Sequence, residues 1–196
     1  FIDADLVMVC NDFLKTYVDA TAHAEVICGG YQVLKGPDGN LRYLYEHAAE
    51  KNKSVEQRLK HPYHSFFASN FLQHPFDSRF YKYGYEDVLL GRQLNEAGIT
   101  ITHINAPIGF LEYESNAYFL KKTEEAMETL YQFRDSLQGY SSILRVANRL
   151  QGNPLGAIFR QIFKWRRNAW EANLVSSKPS LFIFKLYKLG YYMSFR

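Results

Sequence analysis

Apolar and polar positions alternate differently in the two parts of the chain: short, mixed segments come first, and longer helical stripes follow. Phe1-Ile2 predicts the stub of a buried strand ending at Asp3-Ala4-Asp5. Asn11 to Ala20 is amphipathic and predicts a short helix capped by Asn11 or Asp12. Ala24 to Val33 predicts a strand whose backbone is closely approached at Gly29-Gly30. Gly36-Pro37-Asp38-Gly39-Asn40 is the strongest turn signal. Leu41 to Leu59 has helical spacing, whereas His61 to Phe80 is aromatic and irregular, with strand pieces around Phe66 and Phe71.

Further on, Val88 to Ala97 predicts a helix stopped by Gly98, and Ile99 to Thr102 alternates as a strand. Asn116 to Leu137 predicts a long helix, capped by Ser115 or Asn116. Its apolar stripe is Leu120, Met127, Leu130, Tyr131 and Leu137. From Gly139 the character changes. Ala157 to Ala172 predicts a helix with Ile158, Phe159, Ile162, Phe163, Ala169 and Trp170 on one side. Arg160, Lys164, Arg167 and Glu171 share the other side. Lys178-Pro179 ends it, and Leu181 to Phe195 forms a last short segment.

Composition narrows the class. With 196 residues, 47% hydrophobic and 22% charged, the chain can bury a sizeable core, which excludes a disordered protein. Its two cysteines, Cys10 and Cys28, are too few for a disulfide scaffold or a cysteine zinc site and are expected to be buried and reduced. The longest stretch without charge, His61 to Phe76, holds three histidines and two prolines and is no membrane span. A start at Phe1 is what a processed chain or a fragment would give.

The net charge of +3 conceals an asymmetry. Residues 1–129 balance at −6, and residues 130–196 balance at +9. A basic, aromatic tail points to an anionic partner, nucleic acid or a membrane surface. No nucleic-acid motif with interleaved readout residues is present, so nucleic acid is not expected. The tail helix either packs on its own domain or lies in a bilayer interface. In the second case Arg160, Lys164, Arg166 and Arg167 would meet anionic lipid, while Ile158, Phe159, Ile162, Phe163 and Trp170 enter the headgroup region.

Two carboxylate pairs stand out. Asp3 and Asp5, one residue apart beside a strand, can face one site, and their hard oxygens suit Mg²⁺ or Mn²⁺. A solvated turn would explain them equally. Glu86 and Asp87 follow Tyr83-Gly84-Tyr85 and open a helix, where the macrodipole favours acids for purely structural reasons. A carboxylate there can also serve as a general base beside an acceptor hydroxyl. His61 and His64 flank Pro62, which favours a loop over a metal site. Gly29-Gly30 lacks the spacing of a phosphate loop.

The order Asp3-Ala4-Asp5, Gly29-Gly30, Asn70-Phe71, Phe76-Asp77-Ser78-Arg79-Phe80, Tyr83-Gly84-Tyr85-Glu86-Asp87, Arg92-Gln93-Leu94 and Ala97-Gly98 resembles the second half of a family 2 glycosyltransferase of the GT-A fold. Leu41 to Phe71 and Pro107 to Leu130 resemble a branch common in Bacteroidetes-type bacteria. The resemblance covers roughly residues 1–137. It implies an α/β fold, with 1–137 as the metal and acceptor side of a Rossmann-like mixed sheet. Residues 138–196 would be a basic, aromatic helical extension. It also implies that the nucleotide-binding first half is missing here.

The implied chemistry is inverting transfer of a hexosyl or acetylhexosaminyl group from a nucleotide-sugar, a UDP-sugar being favoured, to a glycan or lipid-linked acceptor in bacterial surface glycan synthesis. Asp3 and Asp5 would hold the Mg²⁺ or Mn²⁺, and Asp3 the donor as well. Asp87 would be the base, and Glu86 would orient the acceptor. Where related sequences often carry a metal-binding histidine, this chain has Phe110. The expected location is cytoplasmic, peripheral at the inner face of the cytoplasmic membrane through residues 157–172. Two other classes compete: an Asp-dependent phosphatase or phosphotransferase built on Asp3 and Asp5, and a non-catalytic membrane-binding module.

Overall fold

A computed structural model describes residues 1–3, 5–51, 66–68 and 75–195. The protein is mixed α/β and forms two compact units. Unit 1 comprises Phe1–Pro37, Tyr45–Asp77 and Asp87–Tyr113, and unit 2 comprises Asp38–Leu44, Ser78–Glu86 and Glu114–Arg196. The predicted strand piece at Phe71, the His61/His64 pair and the distal part of the Leu41–Leu59 helix lie outside the described residues.

Unit 1 contains β1 (Leu6–Met8), α1 (Phe13–Ala20), β2 (Val26–Cys28), β3 (Phe66–Ala68), β4 (Ile101–His103) and β5 (Ile108–Phe110). Two further helices begin in unit 2 and run into it, α2 (Leu41–Lys51) and α3 (Glu86–Glu96). The central sheet has the order β3-β2-β4. β2 is antiparallel to β3 and parallel to β4, with Ile27 opposite Phe67 and Thr102. β2 is buried on both faces, which its unbroken apolar run Val26-Ile27-Cys28 anticipates. Leu90 and Leu94 of α3 pack on Val26, with Phe76, Ile99 and Ile101 around them. α3 ends as predicted. Gly98 takes the left-handed conformation at φ +72°, and Ile99 N–H donates to the Leu94 carbonyl at 2.9 Å.

β1 and β5 form a separate antiparallel pair in the register Leu6–Phe110, Val7–Gly109 and Met8–Ile108. The buried strand stub expected at Phe1-Ile2 is reduced to a bridge residue at Ile2. Both side chains are exposed, at 58% and 43%, and the regular strand begins at Leu6. The apolar run Leu6-Val7-Met8 supplies the regular pairing, so Asp3 and Asp5 lie between the bridge at Ile2 and β1. α1 starts at Phe13 with Asp12 at its N-cap, and Phe13 packs with Ala106 and Ile108.

Unit 2 is helical: α4 (Asn116–Gln132), α5 (Ser142–Leu150), α6 (Pro154–Leu174) and α7 (Leu181–Met193). Ser115 caps α4 by accepting from Tyr118 N–H, and Leu120, Met127 and Leu130 of the predicted stripe are buried. α7 packs against α4, α5 and α6. The Phe163 ring lies against Tyr187, and Phe119 against Phe184. The tail therefore shares one core with α4. Of the two placements weighed for the tail helix, packing on its own domain is the one found for Phe163 and Trp170. They are 4% and 8% exposed, because α7 offers them an apolar neighbour that the helix periodicity alone does not reveal. Among the described residues no helix is long and apolar enough to cross a membrane.

Candidate functional site

The loop leading into α3 is the most constrained backbone near the predicted acids. Gly84 and Tyr85 are consecutive left-handed residues, at φ +102° and +71°. Gly84 is required twice over. A side chain would be strained there, and a Cβ would fall 2.7 Å from the Ala126 Cβ of α4. The same face of α4 grips the rest of the loop. Glu125 accepts from Tyr83 N–H at 3.2 Å, and the buried Thr129 hydroxyl donates to the Tyr83 carbonyl at 3.0 Å. Lys82 pairs with Glu128 at 2.7 Å, and the Lys122 ammonium sits 4.7 Å from the Tyr83 ring centroid. The chain leaves this clamp as Glu86-Asp87, the first residues of α3.

Both acids thus lie at a helix N-terminus, as predicted. Asp87 Oδ1 accepts from Val88 N–H at 2.7 Å, which uses one of the unpaired donors of the first turn. One carboxyl oxygen of Glu86 is buried. Asp3 and Asp5 are exposed, in the turn closed by Leu6 N–H donating to the Asp3 carbonyl at 3.2 Å. The β1–β5 register sets Leu6 opposite Phe110, so the Asp5 end of β1 lies beside the outgoing end of β5. Phe110 is 2% exposed, and its ring packs on Tyr31 and Tyr113 at 5.6 and 5.9 Å. It therefore serves the core. Among the described residues no group of three or more His, Cys, Asp or Glu side chains gathers as a metal cluster. His103 lies within β4, opposite Cys28. Cys28 is buried and free, and burial raises its thiol pKa.

Three constellations escaped sequence reasoning. In unit 2, Arg42 donates through Nη1 to both oxygens of Glu114, at 2.7 and 2.8 Å, and only 4% of Arg42 is exposed. Burial pushes the Glu114 carboxyl up, but the bond from Arg42 and the charges of Arg42 and Lys122 outweigh it, leaving its pKa lowered. Asn116 accepts from Leu41 N–H and donates to the carbonyls of Gly39 and Ser176, at 2.7, 2.9 and 2.9 Å. It ties the turn at 38–40 to the helical unit. Partners 60 to 77 residues apart leave no local signature.

A second constellation lies half-buried between α4, α6 and α7, around the buried Tyr187. The Tyr187 phenol lies 2.5 Å from Glu124 Oε1 and 2.7 Å from Glu171 Oε1, and Arg167 donates to both carboxylates. Burial and the two carboxylates raise the Tyr187 pKa. Burial pushes Glu171 up, yet the bonds from Tyr187 and Arg167 prevail and lower it. Neighbouring Tyr191 is pushed up to about 12 by burial and by Glu124 and Glu128.

The third is an open cleft of about 460 Å³ lined by Arg79, Tyr81, Gln132, Phe133, Asp135 and Ser136. Phe80 stacks on Phe133 at 3.9 Å and Arg79 lies over the same ring, which fixes the cleft wall. The Phe76-Asp77-Ser78-Arg79-Phe80 motif was the available signal for its first wall. The second wall, at the end of α4 and just past it, gave none.

No family model matches the chain, and neither a curated protein nor a solved structure matches it. Fold and geometry define the class as a mixed α/β protein with a helical second unit.

Proposed function

We propose that the chain is the metal- and acceptor-side part of an inverting glycosyltransferase of the GT-A fold. Its donor would be a nucleotide-sugar, a UDP-sugar by preference, and its acceptor a glycan or lipid-linked hydroxyl in bacterial surface glycan synthesis. The observation that carries this reading is the clamped, left-handed Gly84-Tyr85 loop that presents Glu86-Asp87 at the head of α3. A left-handed tyrosine costs about 1–2 kcal/mol, and strain held in this way is a recurrent feature of functional loops.

In this reading Asp87 accepts the proton of the acceptor hydroxyl. The acceptor oxygen bonds to the anomeric carbon, while the bond from that carbon to the diphosphate breaks and its electron pair leaves with the diphosphate. Glu86 orients the acceptor. Asp3 and Asp5 fit a divalent cation by donor chemistry: two exposed carboxylates supply the hard oxygens that Mg²⁺ or Mn²⁺ takes alongside water and substrate phosphate. When bound, that cation would neutralise charge on the leaving diphosphate.

The test uses the full-length polypeptide that carries this chain and a panel of nucleotide-sugars, with release of nucleoside diphosphate as readout. We expect release to need Mg²⁺ or Mn²⁺ and to vanish in Asp5→Ala. Asp87→Asn should lose about 10²–10⁴-fold in transfer while keeping donor affinity. Transfer retained in Asp87→Asn would remove Asp87 as the base, and metal-independent release unaffected by Asp5→Ala would overturn the donor site.

A further inference from the structure

We propose that one face of α6, formed by Leu155, Ile158, Ile162 and Trp165, docks in the headgroup region of an anionic lipid bilayer. The inference does not rest on the transferase reading. It begins with exposure. These four side chains are 62%, 55%, 43% and 78% exposed, although all are large and apolar. They recur at helical spacing, so they form one stripe about 15 Å long. The buried residues of the same helix, Gly156, Phe163, Trp170 and Leu174, lie on another side. At 3.6 residues per turn the two stripes are roughly 120° apart. The helix thus has two apolar faces, and unit 2 uses only one of them.

Charge selects the occupant. Residues 142–174 carry six Lys or Arg and a single acid, Glu171, a net of +5. Arg167 is tied to Glu171 and Glu124, but Arg166 borders the exposed stripe, 5.5 Å from the Trp165 ring centroid. Arg160 and Lys164 sit farther round the helix. At 100° per residue they lie roughly 140–180° from the stripe, so they add to the positive charge of the helix without bordering the stripe. An anionic bilayer satisfies both features: aliphatic side chains and a tryptophan enter the interface, and cations stay at the phosphate level. With five charged residues in 21, α6 is suited to lie in the membrane plane.

A second copy of the chain fits less well. The four side chains offer on the order of 500 Å², below the roughly 800 Å² per partner of a stable interface. Two helical segments of the same positive charge would also repel. A nucleic acid would use the cations and leave the aliphatic stripe unpaired with anything apolar.

Tryptophan emission provides the test, because Trp165 is exposed and Trp170 is 8% exposed. The complete chain is mixed with vesicles of phosphatidylcholine, alone or with phosphatidylglycerol. We expect co-sedimentation and a blue shift with the anionic vesicles, quenched by brominated acyl chains. Trp165→Phe should abolish the shift and retain sedimentation. Joint Ile158→Ser and Ile162→Ser substitution should abolish both, with the thermal melt unchanged because the two side chains face outward. Neutralising Arg166 to Gln should weaken binding about fivefold, the share of one cation held at the surface. Absence of sedimentation and shift with either vesicle would overturn the proposal. So would a concentration-dependent dimer that the double serine variant dissolves. Equal retention of wild type and the double serine variant on a lipid-free polyanion, with no shift on vesicles, would also overturn it.

Discussion

Tyr85 holds φ at +71°, a conformation in which a side chain other than glycine's is strained. That strain makes a comparison of two substitutions informative. Tyr85→Gly and Tyr85→Ala both delete the ring and its contacts. Only glycine relieves the backbone. The glycine variant should therefore be the more stable of the two by about 1 kcal/mol, the reverse of the usual preference for alanine. Urea midpoints at equal m-values measure the difference, and an alanine variant as stable as the glycine variant would show that the loop relaxes. The acids beside this tyrosine were legible in the sequence, since Glu86-Asp87 ahead of Val88-Leu89-Leu90 spells a helix start. The strain was not, because a tyrosine carries no mark of a left-handed φ. Gly84 hinted at it, but the clamp that imposes it comes from α4, some 40 residues on.

At the level of elements, legibility followed length and periodicity. The stripe Leu120, Met127 and Leu130 recurs at helical spacing and is buried as read, and the Gly98 stop is where α3 ends. α5 went unread. Its nine residues alternate Leu144 and Ala147 with Arg145 and Arg149, too short a run to stand out from a basic loop. β1 was misplaced, since a three-residue strand gives period-two alternation almost nothing to act on. Contact between helices was hidden altogether. Gly190 of α7 illustrates it: a Cβ there would lie 2.2 Å from the Phe163 ring of α6. In a free helix Gly→Ala gains up to about 1 kcal/mol. Here the ring must move, and overpacking costs about 1–3 kcal/mol, so Gly190→Ala should lower stability by about 1 kcal/mol or more. Adding Phe163→Leu should return part of that loss, a coupling that a double-mutant cycle in urea detects. Additive losses would mean that the two residues do not share the contact.

At the scale of the whole molecule, half-buried polar groups in unit 2 make its stability depend on pH. Glu114 is held by Arg42, and Glu171 by Tyr187 and Arg167, and both carboxyls have folded pKa values below the ordinary 4.5. A carboxyl lowered on folding binds its proton more tightly in the unfolded chain. Its contribution is complete above the unfolded value and is lost as pH falls through the folded one. The helical signal of unit 2 should thus melt at steadily lower temperature as pH drops below about 4.5. Tyr191, raised from 10.0 to about 12, acts at the other end. Its contribution is complete below pH 10 and is lost as pH climbs towards 12. Glu114→Gln separates the acid contributions. It leaves the Arg42 guanidinium, whose side chain is 5% exposed, without its carboxylate. The loss near neutral pH should reach about 3–5 kcal/mol, the range for breaking one partner of a buried pair. The variant should also show a shallower acid slope than the wild type, because one of the two lowered carboxyls is gone. Circular dichroism melts from about pH 7 to pH 3 provide both readings. A wild-type melt that stays flat across that range would mean that neither pair is held in solution as it is here. An unchanged slope in Glu114→Gln would assign the acid sensitivity to Glu171 and the buried Tyr187 network.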